Sequence, residues 1–281
     1  MILFPNCKIN LGLFVTSKRE DGFHNIESLF LPVPWCDVLE VLISEESDIQ
    51  LEVIGTPIDG DVEDNIVVKA YRLLQKDFGI GGVKVKLWKR LPTGAGLGGG
   101  SANGAFMLKG LNEVFELKIE NDVLKRYAAQ LGSDCPFFID NSPAFVSGRG
   151  EVMEVMNIDF PSLYIAIVHP GIHVSTPKAY SMIIPKAAAV DLHQINKWPM
   201  AQWQSLVTND FEAPVGTMFP RILEIKKAFQ EMGAIYASMS GSGSAVFAFF
   251  EDEPNAHSVR EKMQLSTSVP VYIGKFPAIE K

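Results

Sequence analysis

Residues 91–106, "LPTGAGLGGGSANGAF", form an unusual glycine-rich stretch, in which five of the seven residues from Gly94 to Gly100 are glycine. Glycine loses more backbone freedom on folding than any other residue, so a cluster like this is costly unless the chain turns sharply or a ligand approaches the backbone. The alternating segment "VKVKLWKRL" before it predicts a strand, and "SANGAFMLKGLNEVF" after it has a helical period. The sequence therefore predicts a glycine loop between a strand and a helix.

A glycine loop that opens a helix is typical of phosphate binding, because backbone N–H groups can surround an anion and the helix N-terminus adds unpaired donors. It is not a Walker A loop, since Gly100 stands where that motif needs lysine, and the H-R-D sequence of protein kinases is absent. Gly94, Gly96 and Gly99 match the dinucleotide pattern G-x-G-x-x-G, but a second helix follows instead of a parallel strand. A Rossmann oxidoreductase and a plain strand-to-helix connection remain minor alternatives.

The composition disfavours nucleic acid and membranes as partners. The chain has 281 residues, of which 47% are hydrophobic and 21% charged, enough for one large or two ordinary domains. Its net charge of −8 disfavours binding to polyanions, so any anionic ligand must be held by cationic or N–H groups at its own site. The three cysteines, Cys7, Cys36 and Cys135, lack the spacing of a zinc site or a disulfide framework, and the first residues do not resemble a signal or transit peptide. We therefore expect a cytoplasmic location.

The order of predicted elements favours two α+β domains. Short strands fill residues 7–54, and "NIVVKAYRLLQKDFG" predicts a helix that begins after Asn65 and stops at Gly79. The C-terminal part of the chain predicts a strand at "AIYASMS", a turn at "GSG" and a strand at "AVFAFF". A helix at "NAHSVREKMQ" and a strand at "VPVYIGKF" are predicted to follow. Because strands and helices interleave without a repeated βα unit, a doubly wound parallel sheet is not expected. We place the domains at 1–158 and 159–281.

Three separated stretches together resemble the motifs of the GHMP kinases, a superfamily that includes galactokinase, homoserine kinase and mevalonate kinase. They are "NCKINLGL", "PTGAGLGGGSAN" and "SMSGSGSAVFAFF", and their order and spacing cover almost the whole chain. The resemblance implies the two-domain α+β GHMP kinase fold, with an N-terminal mixed-sheet ATP-binding domain and a C-terminal ferredoxin-like α/β sandwich domain. It also implies transfer of the ATP γ-phosphoryl group to a substrate hydroxyl, with ATP delivered as its Mg²⁺ complex and no metal ligand assigned in the chain.

Further segments narrow the resemblance to one branch of that superfamily. "PTGAGLGGGS", "REDGFHNIESLF" and "LGSDCPFF" are similar to the kinases that phosphorylate the 2-hydroxyl of a cytidine diphosphate-linked methylerythritol, in the non-mevalonate route to isoprenoid precursors. Ala102 departs from the branch, which usually has a second serine there, so one hydroxyl contact to phosphate is in doubt while Ser101 remains. The alternatives are another small-molecule GHMP kinase, of the homoserine or mevalonate type, and a non-catalytic nucleotide-binding protein on the same fold.

The resemblance implies site residues in all three motifs. Lys8 and Asp134 would form the catalytic pair, because a carboxylate can accept the alcohol proton and a lysine can stabilise charge on the γ-phosphate. The residues expected to bind ATP are Asn65, on the adenine side, and Pro92, Thr93, Gly94, Ala95, Gly96, Leu97, Gly98, Gly99, Gly100, Ser101 and Ala102. The residues expected to bind the cytidine substrate are Asn10, Phe23, His24, Thr176, Tyr180, Gly241 and Gly243. In this set the two aromatic rings would stack on cytosine and the histidine would hydrogen-bond the base.

These residues also have purely structural interpretations. Asp134 can be a helix N-cap or a turn residue, and Lys8 can be an edge-strand lysine that points to solvent. Phe23 and Tyr180 can be core residues, and His24 can cap a turn. The glycines of "SMSGSGSAVF" can form a plain hairpin turn. Burial and contacts distinguish these interpretations from the functional ones.

Overall fold

The computed structural model describes residues 1–58 and 60–276. The strands are β1 (Ile2–Leu3), β2 (Asn6–Lys18), β3 (His24–Cys36), β4 (Val38–Ile43), β5 (Ile49–Gly55), β6 (Val83–Lys89), β7 (Ala144–Ser147), β8 (Val152–Val155), β9 (Leu163–Val168), β10 (Tyr236–Met239), β11 (Val246–Phe250) and β12 (Val271–Phe276). The α-helices are α1 (Ile66–Phe78), α2 (Gly99–Val114), α3 (Asn121–Leu131), α4 (Phe137–Asp140), α5 (Thr176–Ser181), α6 (Met200–Leu206), α7 (Glu212–Met218), α8 (Pro220–Glu231), α9 (Glu253–His257) and α10 (Val259–Lys262). Short 3₁₀ helices span Val62–Asp64 and Leu192–Lys197.

Local signals account for the predicted helix α1. The Asn65 side chain accepts a hydrogen bond of 3.0 Å from the Val67 N–H and so caps the first turn. Gly79 ends the helix with φ of 64°, in the left-handed region that a residue without a Cβ adopts most easily. Both ends agree with the prediction from sequence. Across the described part of the chain, no helix is long and apolar enough to span a bilayer.

The chain forms two compact units, and neither is continuous in sequence. The first unit consists of residues 1–7, 35–93 and 98–142, and the second of residues 8–34, 94–97 and 143–281. These units are groups of contacting segments, whereas the expected division at 158 and 159 follows chain order. That division stays a prediction.

The first unit contains a four-stranded mixed sheet in the order β1-β4-β6-β5. Strand β4 is antiparallel to both β1 and β6, and β5 is parallel to β6. Side chains of β6 alternate between buried and exposed, so one face of the strand packs into the unit. Helices α1 and α2 pack on each other, and α2 packs on β4. The expected mixed sheet is therefore confirmed.

The second unit contains two four-stranded sheets, in the orders β2-β3-β7-β8 and β10-β11-β9-β12. In the latter sheet every pair is antiparallel. Helix α8 packs against β10 and β11, and α9 packs against β9 and β11. The core there includes Val168, Phe229, Met239 and Phe250. Antiparallel strands covered by helices agree with the expected α/β sandwich, and the α+β class is confirmed.

Candidate active site

A cavity of about 550 Å³ lies in the first unit, where β6 ends and α2 begins. Its lining includes four of the predicted ATP-binding residues, Asn65, Thr93, Gly100 and Ser101. A concave space of this size, with a helix N-terminus in its wall, is large enough for a nucleotide-sized ligand and suits an anionic group. The cavity of the first unit is therefore a candidate nucleotide site.

The remaining residues of the glycine loop differ in exposure. Pro92, Ala95, Leu97 and Ala102 are buried, and none of them lines the cavity. Ala102 is fully buried within α2, so its methyl group contributes to packing instead of facing the cavity. The structure thus puts the missing serine hydroxyl at a position that is closed to solvent.

A substitution at Gly100 tests whether the glycine loop binds phosphate. Gly100 lies in the first turn of α2, and a Cβ added there would meet no heavy atom within 4 Å. We expect Gly100→Val to weaken ATP binding about 10–100-fold, because the added side chain would occupy space that the phosphates need. This loss corresponds to the ~1–3 kcal/mol that is typical of overpacking. Calorimetric titration with ATP measures this, and Gly81→Val, another open glycine position outside the cavity lining, is the control.

Unchanged ATP affinity in a folded Gly100→Val protein would exclude this cavity as the phosphate site. Gly98→Val is a poorer test of the same loop. Gly98 has φ of 68°, where a β-branched side chain is strained whether or not ATP binds.

In the second unit, the first and third sequence motifs contact the middle of the glycine loop. The Lys8 N–H donates to the Leu97 carbonyl over 2.9 Å, and the Ser240 hydroxyl donates to the Gly96 carbonyl over 2.8 Å. Gly96 has φ of 77°, and a Cβ there would overlap the Ser240 carbonyl oxygen. Glycine is therefore required for this close approach, and "SMSGSGSAVF" does more than turn the chain.

Two further glycines of the third motif also adopt left-handed conformations. Gly241 has φ of 58° and a Cβ there would lie 3.1 Å from the Cα of Gly96, while Gly243 has φ of 96°. The hydroxyls of Thr176 and Ser242 lie 3.0 Å apart in the same segment of the unit. The predicted contacts of Thr176, Gly241 and Gly243 with substrate stay predictions.

Lys8 is held inside the second unit by a polar network. Its side chain is 3% exposed, and its Nζ donates to Asn10 Oδ1 over 2.6 Å and lies 4.1 Å from the centroid of the Phe30 ring. Asn10 Nδ2 donates to the Ser28 hydroxyl over 2.9 Å, and the Ser28 hydroxyl in turn donates to the Gly12 carbonyl over 2.6 Å. An ammonium group is costly to bury without polar partners. The lysine is therefore not a solvent-facing edge residue, and Asn10 is placed to orient it.

Asp134 lies half-buried in the turn between α3 and α4 of the first unit. The N-cap of α4 is Pro136, so Asp134 does not cap that helix. Burial raises the pKa of the neighbouring Cys135 thiol to about 12, and a hydrogen bond with the Ser101 side chain partly opposes the rise. A thiol with this pKa is protonated at neutral pH, so Cys135 is not activated as a nucleophile. Its contact with Ser101 links the Asp134 turn to the first turn of α2.

Two of the predicted base-binding residues, His24 and Tyr180, belong to an aromatic cluster in the second unit. The rings of His24 and Tyr180 are stacked with centroids 5.0 Å apart and an interplanar angle of 21°, and Tyr180 packs edge-on against Phe211 at 4.8 Å. Phe23 is 55% exposed, so it is not a core residue. Burial lowers the pKa of His24, and the positive charge of Lys18 lowers it further by a smaller amount. Its imidazole is therefore neutral at pH 7, with one donor and one acceptor nitrogen for a base.

Arg149 contacts the exposed Phe23 ring, although no motif in the sequence points to it. Its guanidinium carbon lies 4.9 Å from the centroid of the Phe23 ring, a cation–π contact. The turn that carries it is held to β3, because the Ile26 N–H donates to the Gly148 carbonyl over 2.7 Å. The contact joins residues far apart in sequence, so only the folded chain reveals it.

A buried ion pair beside the cavity of the first unit is a second feature outside the motifs. Asp37 and Lys89 are both buried and bonded to each other, and Lys89 also lines the cavity. Burial lowers the pKa of Lys89, and the negative charge of Asp37 opposes this shift. The burial of Lys89 could have been predicted from the alternation of β6, because that alternation puts Lys89 on the same buried face as Val83, Val85 and Leu87.

Within residues 1–58 and 60–276, no group of three or more His, Cys, Asp or Glu side chains is arranged to hold a metal ion.

Protein-family models match both parts of the chain. The model for the GHMP kinases N terminal domain matches residues 65–149, and the model for GHMP kinases C terminal matches residues 187–266. Two solved structures with low identity share the fold. A homoserine kinase from Cytophaga hutchinsonii has 17% identity and a TM-score of 0.68, with 97% of this chain and 94% of that chain covered. A Methanococcus jannaschii mevalonate kinase has 11% identity and a TM-score of 0.72, with 97% of each chain covered.

Closer similarity connects the chain to one enzyme group. A Bacteroides thetaiotaomicron protein named 4-diphosphocytidyl-2-C-methyl-D-erythritol kinase is 47% identical over 255 residues, which cover 90% of this chain and 93% of that protein. A Porphyromonas gingivalis protein with the same name is 43% identical over 257 residues, with 90% and 93% covered. A crystal structure of 4-(cytidine 5'-diphospho)-2C-methyl-D-erythritol kinase has 30% identity and a TM-score of 0.83 and covers 98% of both chains. The chain belongs to the GHMP kinase family, and within it to the 4-diphosphocytidyl-2-C-methyl-D-erythritol kinases.

Proposed function

We propose that this chain transfers the γ-phosphoryl group of ATP to the 2-hydroxyl of 4-diphosphocytidyl-2-C-methyl-D-erythritol, in isoprenoid precursor synthesis. The substrate assignment rests on the stacked cluster of His24 and Tyr180, which offers an aromatic face and a neutral imidazole, and on the exposed ring of Phe23 next to His24 in sequence. Homoserine and mevalonate have no planar base to stack on such a cluster. The 47% identity with a kinase of this name supports the same substrate.

The proposed nucleotide site is the cavity of the first unit. Phosphates would meet the N–H groups at the start of α2, beside Gly100 and Ser101, and adenine would lie towards Asn65. ATP enters such reactions with Mg²⁺, which neutralises phosphate charge. The described residues offer no cluster of ligands for this ion, so phosphate oxygens and water are its proposed ligands. A reducing cytoplasm is the proposed location, because Cys7, Cys36 and Cys135 form no disulfide with one another.

The proposed chemistry needs one base and one fixed positive charge. The Asp134 carboxylate accepts the proton of the substrate 2-hydroxyl while the oxygen attacks the γ-phosphorus and ADP leaves. The Lys8 ammonium stabilises the negative charge on the transferred phosphoryl group, and Asn10 orients that ammonium. The polar network around Lys8 supports this role, since it holds the ammonium in one place before substrate arrives.

Aromatic stacking predicts a selective loss of substrate affinity. Phe23→Ala and Tyr180→Ala should each weaken binding of the cytidine substrate by roughly 1–3 kcal/mol, the order found for base–aromatic stacking, with ATP binding nearly unchanged. Separate calorimetric titrations with the two ligands measure this. Phe78→Ala, which removes another exposed phenylalanine in α1, is the control. Equal losses for both ligands would indicate damage to the fold and contradict the proposed pocket.

A substrate panel tests the proposed function as a whole. The purified chain is incubated with ATP and, separately, the cytidine substrate, mevalonate, homoserine and galactose, and products are identified by mass spectrometry. We expect phosphate transfer to the cytidine substrate alone. Transfer to mevalonate or homoserine would assign another GHMP kinase activity, and ATP binding with no transfer to any of the four would favour a non-catalytic nucleotide-binding protein.

A further inference from the structure

The carboxylate of Asp37 is a hydrogen-bonding hub in the interior of the first unit. It is fully buried, and it accepts four hydrogen bonds. The donors are Lys89 Nζ, the Arg90 N–H at 2.7 Å, the Leu91 N–H at 2.8 Å and Asn103 Nδ2 at 2.9 Å. A carboxylate has about four lone-pair positions, so this group is saturated by the protein and has no capacity left for a ligand.

The four donors come from both sides of the glycine loop. Arg90 and Leu91 are the last residues before it, and Asn103 lies in the helix that follows it. The start of that helix packs directly on the chain just after β6, since a Cβ at Gly99 would lie 3.2 Å from the Leu91 side chain. One buried side chain therefore holds the chain where it leaves β6 and where it has entered α2.

Two of the donors also reach the nucleotide cavity. Lys89 and Asn103 both line it, whereas Asp37 does not. A buried ion pair is weak evidence for stability, because removing two charges from water costs about as much as their attraction returns, and well-packed apolar residues often do as well. What such a pair does provide is a fixed geometry for the groups bonded to it. Here those groups are two side chains in the cavity wall and the N–H groups that lead into the loop.

We propose that Asp37 is a positioning residue for ATP, which acts without touching the nucleotide. It holds the Lys89 ammonium and the Asn103 amide at the cavity wall and fixes the approach to the glycine loop. This inference rests on the proposed function, which assigns the cavity to ATP. Asp37 is then the residue that keeps that cavity in its binding geometry.

The test is the substitution Asp37→Asn, which keeps the shape of the side chain but replaces one acceptor oxygen with a donor. We expect the KM for ATP to rise about 10–100-fold, the cost of a small displacement in a positioned site, while the KM for the cytidine substrate stays within about twofold. The control is Val83→Ala, a fully buried position at the other end of β6. It lowers the melting temperature through a cavity but should leave both KM values unchanged.

If Asp37→Asn does not fold, Asn103→Ala tests the role of the Asp37 hydrogen bonds instead. It removes a single donor to Asp37, and we expect a smaller rise in the KM for ATP, about threefold to tenfold. A KM for ATP within twofold of wild type in a folded variant overturns the inference. So does an equal rise for both substrates that Val83→Ala reproduces, since that indicates lost stability alone. A wild-type chain that binds no ATP in calorimetry would instead contradict the proposed function.

Discussion

Replacing Asp134 with asparagine is expected to lower kcat by about 10²–10⁴-fold, the usual range for the loss of a general base. The amide keeps the shape of the side chain but is a very weak base, so the substrate hydroxyl loses its proton acceptor. The affinities for ATP and for the cytidine substrate should change far less, because the lost interaction forms mainly in the transition state. Steady-state kinetics, with the product confirmed by mass spectrometry, measures the effect.

Asp140→Asn is the matched control for this substitution. Asp140 is the last residue of α4, in the same unit, and bonds to Lys125 over 2.9 Å, so the same chemical change is made outside the proposed site. Full activity of Asp134→Asn would remove Asp134 from the mechanism. A modest loss there, together with a large loss at Lys8, would recast Asp134 as a residue that orients the hydroxyl, since phosphoryl transfer does not always need a strong base.

Lys8→Met is expected to lower kcat by about 10²–10³-fold, the order found when one preorganised electrostatic donor is removed. Methionine retains most of the apolar length of the lysine and fits its contact with Phe30, so the loss falls on the charge. The removal also leaves Asn10 Oδ1 without the 2.6 Å hydrogen bond from the ammonium, a cost to stability that thermal melting detects separately.

Two comparisons complete the Lys8 experiment. Lys227→Met, at an exposed position of α8 in the same unit, should leave kcat unchanged. The double variant Lys8→Met with Asp134→Asn should lose less than the two single losses combined, because groups that serve one transition state are not additive. Strictly additive losses would argue against a shared step.

Linear sequence was sufficient for those features that local chemistry decides. Helix α1 is predictable because its cap at Asn65 and its stop at Gly79 lie within one turn of its ends. The glycine loop is predictable because no other residue tolerates the left-handed conformations of Gly94, Gly96 and Gly98 so readily. The resemblance to GHMP kinases also rests on the residues of three short motifs, which can be read without coordinates.

The burial of Lys8 could not be predicted in this way. Strand β2 is buried without alternation from Asn6 to Val15, because both of its faces are covered. A strand of that kind shows no period of two, so the sequence does not reveal which side chains face inwards. An isolated lysine in it reads as an edge residue, whereas tertiary packing encloses it against Asn10 and Phe30.

The family and the glycine loop follow from the sequence, and the catalytic residues are predictions made from it. The partners that hold the loop and Lys8 in place depend on the completed fold. Asp37 bonds to residues 52 and 66 positions away in the chain, and no propensity or periodicity encodes such a pairing. Helix capping and turn formation act between residues that are close in sequence. A buried carboxylate instead accepts hydrogen bonds from whichever donors the completed fold brings to it.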